Sequence, residues 1–151
     1  MSSKIVGKDC KVTLGAYQVL GLGTWSMDGI TTDEFESTEF GDEWKTYEYG
    51  AKDGGTITFN GLRVLGDTTG QDALLAAQLY NSTLTNLFLF DGATSHWEPC
   101  QTTGYWSPAL TTGAPTQLGS VRITQISINN DKSALGQISF TGKVSGPMVF
   151  V

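Results

Sequence analysis

The sequence predicts an all-β protein with one helix, a β-sandwich or barrel folded as a single domain. Three observations carry this. Short segments of alternating apolar and polar residues recur along most of the chain, as strands with one buried face require. One stretch, DTTGQDALLAAQLYN at residues 67–81, breaks that rhythm with consecutive good helix formers. And 151 residues, 39% of them hydrophobic and only 16% charged, are enough to bury one core and offset the entropy of ordering.

The elements follow in chain order. Residues 1–11 form an N-terminal arm, and the first strand pattern, VTLGAYQVL at 12–20, is interrupted at Gly15. TWSMDGI (24–30) sets Trp25, Met27 and Gly29 on one side. In GGTITFNGLRV (54–64), Ile57 and Phe59 share a face, and Gly61 then shifts the phase to Leu62 and Val64, which predicts a bulge or bend. NLFLF (86–90) is apolar on both faces, as a central strand would be. VRITQISIN (121–129) aligns Val121 with Ile123, then slips in phase to align Ile126 with Ile128. GQISFTGKV (136–144) aligns Ile138, Phe140 and Gly142, and Asn129, Asn130 and Asp131 supply turn chemistry between these last two strands. The apolar ending GPMVFV predicts that residues 148–151 are paired or buried.

The helix is expected over about 69–81, with Asp67 or Thr69 as N-cap and Asp72 in the first turn, where the helix dipole favours negative charge. Leu74, Leu75 and Leu79 do not fall on one narrow stripe, and no charged residue occurs from 73 to 90. The helix should therefore be covered on more than one side, in part by a neighbouring molecule. Two segments fit no regular element. One is a long loop over about 31–52. The other, about 98–120, holds Pro99, Pro108 and Pro115 with Gly104, Gly113 and Gly119, and has Tyr105 and Trp106 at its centre.

Composition narrows the function. A formal charge of −6, with nine bases scattered from Lys4 to Lys143, excludes a clustered basic surface for reading nucleic acid. The N-terminus has no apolar signal core and no run approaches a membrane span, so a protein made in the cytoplasm, with Cys10 and Cys100 reduced, is expected. Catalytic inventories fail. His96 is the single histidine, and no G-x-S-x-G accompanies it. His96, Cys10 and Cys100 are ligand types for zinc without a common zinc spacing. Gly21 and Gly23 make half a dinucleotide loop that a strand follows where a helix is needed. Paired acids between Asp33 and Glu48 have the chemistry of glycoside hydrolysis but no cleft-forming insertion beside them. No catalytic residue, cofactor or metal is expected.

What remains is ITTDEFESTEFGDEWKTYEYG, residues 30–50, with seven carboxylates, five aromatics and one base, Lys45. Such a segment suits neither a solvated loop nor a core. One reading is a carbohydrate-binding module, stacking sugars on Trp25, Trp44, Trp97 or Trp106 beside acids that bind hydroxyls. The other is self-assembly, in which aromatics bury between subunits and acids meet bases of a neighbour.

The order of motifs favours the second. TWSMDGITTDEFESTEFGDEWKTYEYGAKDGGTITFNG is followed by D-x-x-G-Q (Asp67, Gly70, Gln71) opening a leucine-rich helix, then by VRITQISIN and GQISFTGKVSG. Over about residues 21–146 this resembles the tail tube (major tail) proteins of long non-contractile-tailed bacteriophages. The resemblance implies a β-sandwich or barrel with a flanking helix, and six copies per ring stacked into a hollow tube without a sheath. It implies a lumen lined by inner sheets, a tape-measure protein inside during assembly, and DNA passing at ejection without sequence-specific binding. Terminator and tail-tip proteins would close the ends, and the protein would reside in the virion tail. An acidic or neutral wall would let DNA slide, where a basic one would hold it. Members of this family have a long loop after the second strand that reaches a neighbouring subunit or ring, and residues 31–52 occupy that place. Phe35, Phe40, Trp44, Tyr47 and Tyr49, with Glu36, Glu39, Asp42 and Glu43, are then inter-subunit contacts, and Leu74, Leu75 and Leu79 pack the helix.

Overall fold

The computed structural model describes residues 4–101 and 117–151, and in it the alternating segments become strands of two facing antiparallel sheets. After a 3-10 turn at Gly7–Asp9 come β1 (Val12–Leu14), β2 (Tyr17–Gln18), β3 (Leu22–Asp28), β4 (Thr31–Glu36), β5 (Tyr47–Asp53) and β6 (Thr56–Leu62). Then follow α1 (Gln71–Leu79), β7 (Leu87–Phe90), β8 (His96–Pro99), β9 (Ser120–Asn129), β10 (Gln137–Ser145) and β11 (Met148–Phe150). One sheet has the order β11-β8-β7-β1-β2, the second β3-β6-β10-β9, and β4 pairs with β5 alone.

The core lies between the two larger sheets. Ile57 and Phe59 of β6, Ile138 and Phe140 of β10, and Val121 and Ile123 of β9 join Val12, Leu87, Leu89 and Leu74 of α1 in one buried cluster. Phe59 and Phe140 are paired across strands, with ring centroids 5.1 Å apart. Each such buried side chain contributes roughly 1.5–3 kcal/mol of transfer free energy.

NLFLF is the central strand of the five-stranded sheet. Leu87 and Leu89 enter the core, and Phe88 and Phe90 on the other face hold the His96 ring at 4.7 and 4.8 Å. The phase slip in β9 is a β-bulge. Gln125 opposes Thr141 and Ile123 opposes Gly142, which leaves Thr124 as the extra residue. The slip expected at Gly61 lies instead on the partner strand, between Leu22 and Thr24, and β6 ends at Leu62. Gly61 is there for proximity, since a Cβ would collide with the Gly21 carbonyl and the backbone of Leu22.

The C-terminus is paired as expected, β11 lying on β8 with Val149 buried. That pairing corrects the 98–120 loop, because Glu98 and Pro99 belong to β8 and Ser120 opens β9. Residues 102–116, with Gly104, Tyr105, Trp106, Pro108, Gly113 and Pro115, lie outside the described residues.

The helix is shorter than 69–81, and its N-cap position is Gly70 rather than Asp67 or Thr69. Asp67 still closes the first turn from outside it. Its carboxylate accepts the Gln71 N–H (3.0 Å), and its carbonyl accepts those of Gly70 and Asp72. Gln71, Leu74 and Ala77 form the buried stripe, Leu75 is half-buried and Leu79 is exposed, so among the described residues Leu79 adds little to the helix packing. Among the described residues no helix is long and apolar enough to cross a membrane.

Candidate functional site

Residues 31–52 are a β-hairpin arm, not an irregular loop. β3 pairs with β6 as far as Asp28↔Thr56, and pairing resumes at Thr31↔Asp53 and runs to Glu36↔Tyr47. The two pairs are one long ribbon with a corner at Gly29 and Gly54–Gly55. Thr, Phe and Tyr favour the extended backbone on both strands. The arm spans on the order of 20 Å, at about 3.3 Å per residue.

The corner is built from contacts that only glycine allows. Gly29 (φ 77°) and Gly55 (φ 90°) occupy the left-handed region, and a Cβ on Gly55 would collide with the Asp28 carbonyl. The Asp53 carboxylate accepts the Gly55 N–H (2.9 Å) and the Lys143 ammonium (2.6 Å), fastening the root of the arm to β10. The Lys143 hydrogen bond, followed by the Gly55 amide, holds the Asp53 carboxyl below its ordinary value.

Beyond the corner none of the described residues covers the arm. All of β5, and all of β4 except Thr32, are exposed. Phe35, Tyr47 and Tyr49 stand in solvent, Trp44 is 80% exposed, and Phe40 at the tip is fully so. The register puts Glu34 opposite Tyr49 and Glu36 opposite Tyr47, so one face carries two tyrosines beside two carboxylates, while Phe35 and Glu48 occupy the other. The tip is nonetheless ordered. Glu39 N–H donates to the Asp42 carboxylate (2.8 Å), Asp42 N–H to the Glu39 carbonyl (3.2 Å), and Ser37 N–H to Thr46 O (2.8 Å). Gly41 (φ 93°) completes the turn that lifts Phe40 outward. Glu43 is exposed with its neighbours.

Charge is segregated to match. Residues 31–53 hold eight of the fifteen carboxylates and two of the nine bases, so the whole net charge of −6 sits on the arm. The remainder has seven of each and is neutral. Among the described residues the ion pairs are Arg63–Asp72, His96–Glu98 and Lys143–Asp53; none involves a carboxylate between residues 33 and 48.

The outward face of the four-stranded sheet is a second surface. Thr24, Ser26, Thr58, Asn60, Ser127, Ser139 and Thr141 alternate with the core residues, giving a wall of hydroxyls and amides. Its charges are Asp28, Arg122 and Lys143, the last held by Asp53. β3 and β9 are its edge strands; the start of β9 is bridged by Leu84, which exchanges hydrogen bonds of 2.7 and 2.8 Å with Val121.

Other predicted residues have local duties. His96 lies beside the Phe88 and Phe90 rings, with Nε2 3.6 Å from Glu98. The Trp25 indole donates to Phe90 O (3.1 Å) and the Trp97 indole to Asp91 (2.8 Å), and both rings are partly buried against the core cluster, so neither is a free sugar platform. Trp106 lies outside the described residues. Burial, then the Asp91 and Asp9 carboxylates, push the Cys10 thiol up. Cys100 is buried.

Gln71 is a residue whose role the motif alone did not disclose. Fully buried, its amide donates to Leu20 O (2.7 Å) and Leu62 O (2.8 Å) and accepts from Val64 N–H and Arg63, both at 3.0 Å. Asp67 adds a bond from Leu20 N–H (3.0 Å), and a Cβ on Gly70 would collide with its carboxylate. D-x-x-G-Q is thus a knot tying the helix start to the ends of β2 and β6.

No family model and no curated protein matches the sequence. Solved structures do. Over 97% of its length the chain matches 98% of a chain from the tail of an empty gene transfer agent particle, obtained by helical refinement with C6 symmetry, at 14% identity and TM-score 0.67. A chain of the native gene transfer agent virion matches over the same shares at 13% and 0.63. A chain of the sheath–tube complex of an extracellular contractile injection system in the extended state matches all of this chain and 93% of that one, at 12% and 0.63. The protein therefore has the mostly-β, single-helix fold found in chains of tail and tube assemblies.

Proposed function

We propose that the chain is the tube-forming subunit of a virion tail, a structural protein and not a catalyst, which joins copies of itself into six-membered rings stacked as a hollow tube. One observation carries this. An ordered hairpin presents five aromatic side chains to solvent, and among the described residues nothing buries any of them. Exposed apolar surface on that scale marks an interaction site. Phe35, Phe40, Trp44, Tyr47 and Tyr49 are the contacts, with Glu36, Glu39, Asp42 and Glu43 at their rim, and Leu79 extends the helix's packing to a neighbour.

The fold shared with a chain from a C6-symmetric tail supports rings of six. The outward face of β3-β6-β10-β9 lines the lumen in this reading, and edges β3 and β9 pair between neighbours, which removes exposed edges. That wall is polar and nearly neutral, so a tape-measure protein can occupy it and DNA can pass without being held. Terminator and tail-tip proteins cover the two ring faces at the tube's ends. The same fold serves a sheathed injection system and a gene transfer agent; the sequence resemblance is what favours the long non-contractile tail, made in the host cytoplasm. A carbohydrate-binding module loses Trp25 and Trp97 to packing against the core.

The test is electron microscopy of the purified chain beside a Phe35→Ser/Phe40→Ser/Trp44→Ser variant. The wild type should form rings or tubes, alone or nucleated by tail-tip components. The variant should stay monomeric with unchanged circular dichroism. Stable tubes from the variant would remove the arm from the assembly, and a wild type that stays monomeric with tip components present would overturn the reading.

A further inference from the structure

The arm must dock on something, and the fold offers a receiving surface at the opposite end of the four-stranded sheet. Resting on the assembly reading above, we infer that the arm of one copy binds the end of another copy's sheet at Leu62 and the adjoining turn that bears Lys132 and Leu135.

The register locates the two ends. Asp28, Thr56, Lys143 and Arg122 lie side by side at the end where the arm leaves. Leu62, Gln137 and Asn129 lie side by side at the other, about 20 Å away along β6. That far end is apolar and uncovered. Leu62 and Leu135 are exposed, and so is Leu65, three residues after Leu62. The turn bearing Leu135 and Lys132 is held against β6 by a hydrogen bond from Arg63 N–H to Gly136 O (2.8 Å). Aliphatic side chains at one pole and aromatics at the other form a complementary pair separated by the length of the sheet.

Charge selects this pairing over the alternative. An arm facing an arm would set −6 against −6, whereas the body is neutral and the far-end turn sets Lys132 beside Asp131. The contact is accordingly heterologous, between different surfaces of two copies, and because they lie at opposite poles it propagates by translation and does not close on itself.

The test uses Leu62→Ser/Leu135→Asp, two exposed positions, one in a turn. This chain keeps its arm, so it should fail to polymerise alone yet add to growing wild-type tubes and stop them, giving shorter tubes as its share rises. The arm-defective variant should pair with it into discrete capped assemblies, because the mixture contains one intact copy of each surface. Oxidative footprinting of wild-type tubes provides the measurement that needs no variant, with Leu62 and Leu135 losing their labelling on assembly. Normal tubes from Leu62→Ser/Leu135→Asp, or undiminished labelling of both leucines in tubes, would overturn the receiving surface while leaving the arm's role intact. Tubes from the arm-defective variant would instead remove the arm, and this pairing with it, from the assembly, whereas a wild type that stays monomeric would overturn the assembly reading beneath it.

Discussion

Replacing Gln71 by Met tests whether D-x-x-G-Q is a structural knot. Methionine has nearly the same length and volume, so no cavity is opened and the apolar contacts of the site survive. What disappears is the amide, leaving Val64 N–H, Leu20 O and Leu62 O without the partners now at 3.0, 2.7 and 2.8 Å. Arg63 loses one bond but keeps Val64 O (2.9 Å) and Asp72. A buried backbone group left unpaired costs roughly 1–3 kcal/mol, and because these three are only part-buried the low end is their ceiling, up to about 3 kcal/mol together. For a domain of this size that ceiling lowers Tm by roughly 6–12 °C. The measurement is urea and thermal unfolding in the Phe35→Ser/Phe40→Ser/Trp44→Ser background, where assembly does not contribute to apparent stability. A loss below about 1 kcal/mol would refute the reasoning, since water would then be replacing the amide at no cost.

Two predictions concern the root of the arm. Lys143 and the Gly55 amide depress the Asp53 carboxyl, so their contribution is present above its unfolded value and is lost as pH falls through the lower folded one. A carboxylate NMR titration should give a midpoint below the ordinary 3.8, moving toward it in Lys143→Met; a wild-type midpoint at or above that value would exclude the ion pair. Gly55→Ala and Gly66→Ala both place a side chain in the left-handed region, at φ 90° and 81°, but Gly66 has open space around it where Gly55 meets Asp28 O. Each should cost at least roughly 1 kcal/mol of backbone strain, and only Gly55→Ala should also abolish tubes. Equal unfolding free energies and equal tube growth would show that the corner is not sterically set.

Legibility followed burial. Strands with one face in the core announced themselves by alternation, as at Ile57 and Phe59 or Ile138 and Phe140, and even the bulge at Thr124 showed as a slip of phase. The arm strands escaped because neither face is buried in the chain, and period-two patterning exists only where one face is. Composition singled out its residues as exposed contact candidates, while their secondary structure was not legible. Gln71 and the Asp53–Lys143 pair were illegible for another reason. Their bonds join residues 51 and 90 positions apart, and no local pattern encodes a partner so remote.

The arm's charge also bears on how such a chain avoids associating in the wrong way. A two-stranded ribbon has two unpaired edges, and one rich in Phe, Tyr and Trp is the kind of segment that pairs edge to edge and aggregates. It is also marginal alone, and here it is held by continuity with β3 and β6 and by the Asp53–Lys143 pair at its root. Seven carboxylates between residues 33 and 48, distributed along both strands and the tip, oppose ribbon-on-ribbon pairing in any register. They oppose nothing on a neutral body, where aromatic burial proceeds with the acids at the solvated rim. Aromatics without the acids would make the arm adhesive to itself; acids without the aromatics would leave it nothing to bury. Found together on one exposed hairpin, they fit the partner proposed above, a different surface of another copy.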